Sequence, residues 1–119
     1  MVKTVYIASM YSKGDQAVNV RTSIFAAEEL RGYGFLPYVP LLTHFWHFMS
    51  PHEYEYWTKM DLEWLHFMDC ILRLPGESSG ADNEVTYMLD LGKPAFWSIN
   101  SILEYYKGEK WKRMKKLVL

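Results

Sequence analysis

A single cysteine, Cys70, stands among 119 residues. It excludes an intrachain disulfide framework and fits a reducing, cytoplasmic setting. Long apolar runs are missing too, and none approaches the roughly 18 residues that a membrane-spanning helix needs, so no membrane partner is expected. Met1 to Ala8 is too short for a signal peptide's apolar core plus cleavage site and reads as a first strand. Neither sign of charge dominates. Lys and Arg number 13 and Asp and Glu 14, for a net charge of −1, so no global field favours nucleic acid or an anionic membrane. There is no Gly-Lys-Ser/Thr P-loop and no G-x-G-x-x-G, so nothing points to triphosphate or dinucleotide sites of those kinds. Internal repeats and low-complexity segments are absent. What is present is apolar and aromatic: 50% of the residues are hydrophobic and 17% aromatic, which argues against disorder and for one domain with one core.

Strand and helix patterns alternate. Val2–Ala8 reads as a strand. After a polar loop, Ser9–Gly14, Asp15 is placed to cap a helix running to about Arg31, with Ala17, Val20, Ile24, Ala27 and Leu30 at helical spacing. Phe35–Val39 is a second strand, and Pro40–Ser50 a loop rich in aromatics and His. Ser50-Pro51-His52-Glu53 predicts a helix start, with Ser as cap, Pro at the first position and Glu at the third. That helix should reach about Met68. Cys70–Leu74 is a third, buried strand. Ala81–Leu91 is a helix, Lys93–Ile99 a fourth strand, and Ser101 to about Lys116 a basic final helix. The pattern predicts an α/β, Rossmann-like parallel sheet with both faces covered, in a single domain over residues 1–119. Right-handed crossovers then bring the loops Ser9–Gly14, Pro40–Ser50 and Pro75–Ala81 to one edge of the sheet.

The segment Ser78-Ser79-Gly80-Ala81-Asp82-Asn83-Glu84 follows the third strand at its carboxyl end, where open α/β sheets bind ligands. Ser78, Ser79 and Gly80 fit an anion seat at a helix start, although Ser and Gly are also ordinary loop and cap residues. Glu84, placed in the first helical turn, is expected to be favoured in its ionised form. It is open to two readings, a surface Glu complementing the helix dipole or a nucleophile for a sugar anomeric carbon. Asp61 shares a helix face with Trp57 and Trp64 and so interrupts an apolar stripe. Burial would hold its proton near neutral pH and make it an acid; the rival reading pairs it with an Arg or a backbone N–H. Asp69 reads as structural, accepting from nearby N–H groups. Ser9 and Tyr11 follow the first strand, and Tyr11 is placed to cover a base or bond a sugar hydroxyl.

His44-x-x-His47 suggests a metal, but no third ligand has matching spacing, so no metal and no other cofactor is expected. Phe45, Trp46 and Phe48 suit stacking on a base, a core position or a subunit interface. The final helix carries Lys107, Lys110, Lys112, Arg113, Lys115 and Lys116. A solvated basic face is the default reading; nucleic-acid binding is the other.

Asp61-x-x-x-Leu65-x-x-x-Asp69, a strand, Ser78-x-Gly80-Ala81-x-x-Glu84, and then Gly92-Lys93-Pro94 follow one another in fixed order. With Tyr6-Ile7-Ala8-Ser9, Gly14-Asp15 and Asn19, this order resembles the nucleoside 2-deoxyribosyltransferase-like superfamily. That superfamily includes 2′-deoxynucleoside 5′-monophosphate N-hydrolases and a small branch with a Leu-Pro-Gly turn, here Leu74-Pro75-Gly76. The match runs from about Thr4 to Ser98. The resemblance implies a flavodoxin-like sheet of four to five strands and a nucleoside or nucleotide substrate. It makes Glu84 the nucleophile at C1′ and Asp61 the acid for the leaving base. Ser78 matches a position that is Asp in the nucleoside transferases and Ser in the monophosphate hydrolases; with helix N–H groups it would receive a 5′-phosphate, and Ser9 would be a second phosphate or sugar contact. It also implies a homodimer or higher homo-oligomer in which each pocket takes a residue from a neighbour, with Ser98, Asn100 and Ser101 at the corresponding place. The first loop lacks the hydrolases' phosphate-binding arginine, for which Lys13 is a substitute, and residues 43–56 have no counterpart. The alternative function is a non-catalytic nucleotide-binding or interaction module on the same fold.

Overall fold

Four short strands lie in one sheet in the order β2-β1-β3-β4, all parallel. They are β1 (Thr4–Ala8), β2 (Leu36–Tyr38), β3 (Cys70–Arg73) and β4 (Ala95–Phe96). The computed structural model describes residues 2–118, with side chains for 2–108. Five helices complete it: α1 (Gln16–Gly32), α2 (Thr43–Met49), α3 (Tyr54–Leu65), α4 (Ser79–Asp90) and α5 (Ile99–Val118). A single 3-10 turn, Pro40–Leu42, leads into α2, and α5 leaves helical geometry at Gly108. The described residues form four strands and not a fifth. No described helix is long and apolar enough to cross a membrane. Lys110, Lys112, Arg113, Lys115 and Lys116 of the basic face lie outside the described side chains. Lys107 sets its Nζ 5.4 Å from the centre of the Phe35 ring.

Alternation along the strands builds two core layers. Val5, Ile7, Cys70 and Leu72 face α1 and α5 and meet Leu30, Phe35, Ile102 and Leu103. Tyr6, Ala8 and Ile71 face α3 and α4 and meet Leu65, Met68, Ala81, Val85 and Met88. β1 therefore sits between a neighbour reached over one face and a neighbour reached over the other. The crevice of such a sheet opens between β1 and β3, at their carboxyl ends.

Local devices hold the loops there. Asp15 caps α1, accepting from the N–H groups of Ala17 and Val18. Buried Asn19 donates to the carbonyls of Tyr11 and Lys13 and so pins the β1–α1 loop. Asp69 accepts from the Thr4 N–H at 2.8 Å and from its hydroxyl, which ties β3 to β1.

Three expectations change. The strand expected over Lys93–Ile99 is only Ala95–Phe96, and α5 begins at Ile99 instead of Ser101. The Pro40–Ser50 loop contains α2 and the 3-10 turn. The helix expected from Pro51 begins at Tyr54 and ends at Leu65, with Glu53 as an N-cap that makes no side-chain bond. Ser50 is already committed as the end of α2, giving its N–H to the Trp46 carbonyl. Its hydroxyl lies 3.3 Å from His52 Nε2, and the His52 N–H goes to His47 Nδ1. The residues of the expected capping box thus form a turn between two helices.

Candidate active site

A cleft of about 370 Å³ opens at the carboxyl ends of β1 and β3. Asp61 reaches it from α3, Glu84 from α4, Ser9 and Tyr11 from the β1 loop, and Ser78 and Gly80 from the start of α4. Six of the eight residues expected at the site therefore share one hollow. Ser79 is exposed on the first turn of α4 and does not line it. Asn100 is exposed on α5 and does not line this chain's cleft. Ser98 is used locally, accepting from the Ser101 N–H at 3.1 Å.

The two acids are held differently. Burial pushes the Asp61 carboxyl up to about 8, with the neighbouring Glu84 adding to the shift. Its Oδ1 is buried and, among the described residues, has no hydrogen-bond partner. A carboxyl in that state keeps its proton at neutral pH. Glu84 is pushed up to about 7 by burial, while the Tyr6 hydroxyl and the Arg73 charge pull it down. Tyr6, from the middle of β1, donates its hydroxyl to Glu84 Oε2. That bond favours the carboxylate, and Glu84 lines the cleft. The expected effect of the helix start on Glu84 is corrected here. The helix begins at Ser79, so Glu84 is its sixth residue. It lies beyond the first four N–H groups, and burial decides its charge instead.

Below the acids, the Tyr6 and Tyr38 rings lie 5.8 Å apart, and Tyr38 stacks on Trp64 at 5.1 Å. Burial and the two carboxyls push the Tyr38 hydroxyl up to about 12. Both phenols thus keep their protons and can serve as donors.

At the rim, Ser78 caps α4, its Oγ accepting from the Ala81 N–H at 3.1 Å. Its own O–H is left to donate, together with the free N–H groups of the helix start. A Cβ on Gly80 would come within 3.3 Å of the Tyr54 hydroxyl, so glycine lets Tyr54 close over the helix start. The loop before the helix is set by Arg73, a residue not singled out from the sequence. Its buried guanidinium pairs with Asp82 at 3.0 Å and donates to the carbonyls of Leu74 and Gly76. Gly76 turns there at φ 124° against Met10, where any Cβ would collide with the Met10 sulfur. Lys13, the substitute for the missing arginine, is on Glu77 at 2.6 Å.

Tyr6 and Arg73 were both visible as polar residues in apolar strand patterns, and such groups demand a partner when buried. The histidines do not gather. His44 bonds the Tyr11 hydroxyl, and His47 Nδ1 takes the Trp57 indole N–H at 2.9 Å. Among the described residues, no three His, Cys, Asp or Glu come together as a metal site.

No family model matches the chain, and no curated protein matches it. Among solved structures it is similar to a 2-desoxiribosyltransferase from Leishmania mexicana, with a TM-score of 0.57 at 18% identity. The alignment covers 78% of this chain and 61% of that one, so the chain spans less than two thirds of that protein. What the two share is the fold, a Rossmann-like parallel sheet between layers of helices.

Proposed function

We propose that the chain cleaves or transfers the N-glycosidic bond of a nucleoside or nucleoside 5′-phosphate. One observation carries this: Asp61, with a buried unpartnered oxygen, and Glu84, braced by Tyr6, open on one cleft with a hydroxyl-rimmed helix start. The common cleft supports an enzyme over a non-catalytic module, which has no use for two half-buried acids, one with an unpartnered buried oxygen. The name of the similar solved structure supports the same class of chemistry.

Glu84 Oε1 attacks C1′ as the bond from C1′ to the base nitrogen breaks. Asp61 gives its proton to the departing base. Water, or a second base, then attacks C1′ and releases Glu84 as carboxylate, and Asp61 recovers a proton from the attacking group. Hydrolysis balances as glycoside plus water giving sugar and free base. Ser9 and Ser78 offer hydroxyls to the 5′ end, and Tyr11 flanks it. Asn100, exposed on α5, is offered to a second copy's cleft in a homo-oligomer.

Incubating the protein with a panel of nucleosides and 5′-monophosphates should release free base, read by chromatography. Glu84→Ala should abolish it. Base release undiminished in that variant would remove Glu84 from its role.

A further inference from the structure

Beside the cleft lies a second hollow of about 320 Å³ that the reaction above does not use. It is built by the His- and aromatic-rich segment around α2. Tyr11, Leu41, Tyr54 and Trp57 wall both hollows, while Asp61 and Glu84 line only the first. The junction is therefore at the rim. Tyr54 is the first residue of α3, and Asp61 lies two turns deeper. Tyr54 also meets the start of α4 at Gly80. With C1′ at Glu84, the base at Asp61 and the 5′-phosphate at the Ser78 helix start, as in the reaction above, the 5′ side of a substrate lies at the end of the cleft that Tyr54 closes. A group attached beyond that phosphate then has the second hollow beside it.

The charges at the rim point the same way. Among the described residues, no Lys or Arg lines either hollow. Arg73 is spent on carbonyls and Asp82, and Lys13 on Glu77. What remains for a phosphate are neutral donors: the Ser78 hydroxyl, helix N–H groups, and the Ser9 hydroxyl if it turns from the Met10 carbonyl that it now meets at 3.2 Å. A phosphomonoester carries close to two negative charges at pH 7, since its second pKa is about 6. A phosphodiester carries one. Neutral donors beside Asp61 and Glu84 in the first hollow, and Glu53 on the wall of the second, suit the single charge.

The second hollow also suits a planar group. Its shared wall is aromatic, and its indole is fixed. His47 Nδ1 accepts from both Trp57 Nε1 and the His52 N–H, which places the His47 proton on Nε2 as a donor. His52 stacks on Tyr56 at 3.9 Å and meets Trp57 edge-on.

We propose that the substrate is a nucleoside 5′-phosphodiester whose second ester group, a planar aromatic moiety, occupies the hollow between α2 and α3. This rests on the glycosidic reading for the orientation of the substrate. It can fail separately.

The test compares each deoxynucleoside 5′-monophosphate with its 4-nitrophenyl ester, by base release and by calorimetric binding to the full chain. The ester should be favoured at least about tenfold in kcat/KM and in affinity. In a folded His52→Ala variant the ester-to-monoester ratio should fall several-fold. If that variant does not fold, Thr43→Phe, which fills the same hollow from its other wall, replaces it. A monoester turned over or bound as well as its ester overturns the proposal and leaves the glycosidic reading standing. Tighter ester binding without base release from either supports the second hollow and removes the glycosidic reading. Binding of neither removes both, and an unchanged ratio in the folded variant removes the hollow as the seat.

Discussion

Asp61 and Glu84 are two carboxyls of one cleft whose surroundings push both upward, to about 8 and about 7. The proposed reaction needs Glu84 ionised and Asp61 protonated, so base release should peak between those values and fall on either side. Tyr6→Phe removes the hydroxyl that favours the Glu84 carboxylate. Its acid limb should therefore move to higher pH, while the basic limb stays. A profile unmoved by Tyr6→Phe would detach that limb from Glu84. Asp61→Asn should lower base release about 10²-fold, in the range of a lost general acid, most for poor leaving bases. Stability responds as well. Asp61 holds its proton in the fold up to about 8 but would release it near 3.8 when unfolded. The folded state binds more protons across that window, so stability falls as pH rises through it. Asp61→Asn should thus raise the melting temperature more at pH 8.5 than at pH 5, and equal gains at both would refute the burial argument. The Asp61 environment was legible in the sequence, because a carboxylate between Trp57 and Trp64 on one helix face has apolar neighbours. The state of Glu84 was not. It depended on a helix that starts two residues earlier than its pattern shows and on a tyrosine from a distant strand.

Among the elements, β1, β2, β3 and α1 follow from pattern and cap, Asp15 satisfying N–H groups of the helix it begins; the helix expected from Ala81 starts at Ser79 under the Ser78 cap, and the strand expected over Lys93–Ile99 is only Ala95–Phe96 because the chain enters α5 at Ile99. α2 did not show itself. It has no side-chain cap, and its seven residues bury none of their number, so neither periodicity nor capping marks it. The Ser50-Pro51 start signal failed for a local reason: the His47 and His52 side chains, within five residues, took up the Ser50 hydroxyl and the His52 N–H. Arg73 joins two elements that sequence shows only as neighbours. It ends β3, fastens the turn at Gly76 and holds Asp82 in α4. Arg73→Met keeps the apolar stem but strands these carbonyls, which should cost about 2 kcal/mol. Denaturant unfolding would measure it. Arg73→Lys should recover little, because one ammonium cannot span the forked set of acceptors. Full recovery by Lys would mean that charge alone holds the turn.

Over the whole molecule, β3 is the central load of the sheet, paired with β1 on one side and β4 on the other. Cys70 begins that strand, opposite Val5, and is fully buried in the core layer under α1 and α5. Burial pushes its thiol up to about 12, and only the thiolate reacts. Two barriers therefore shield the chain's single cysteine. Labelling has to wait for an opening that separates β3 from β1 and lifts the α1 and α5 layer, which amounts to global unfolding. β4 is different, being two residues long and paired only with Ile71 and Leu72. Its loss exposes the far edge of β3 without uncovering Cys70. Reaction of Cys70 with an aromatic disulfide reagent in increasing urea should then follow the unfolding seen by circular dichroism, with the same dependence on urea. A shallower dependence would place the opening in a smaller unit, with β4 and α5 leaving first. Rapid labelling in plain buffer would deny that these layers close over the sheet at all.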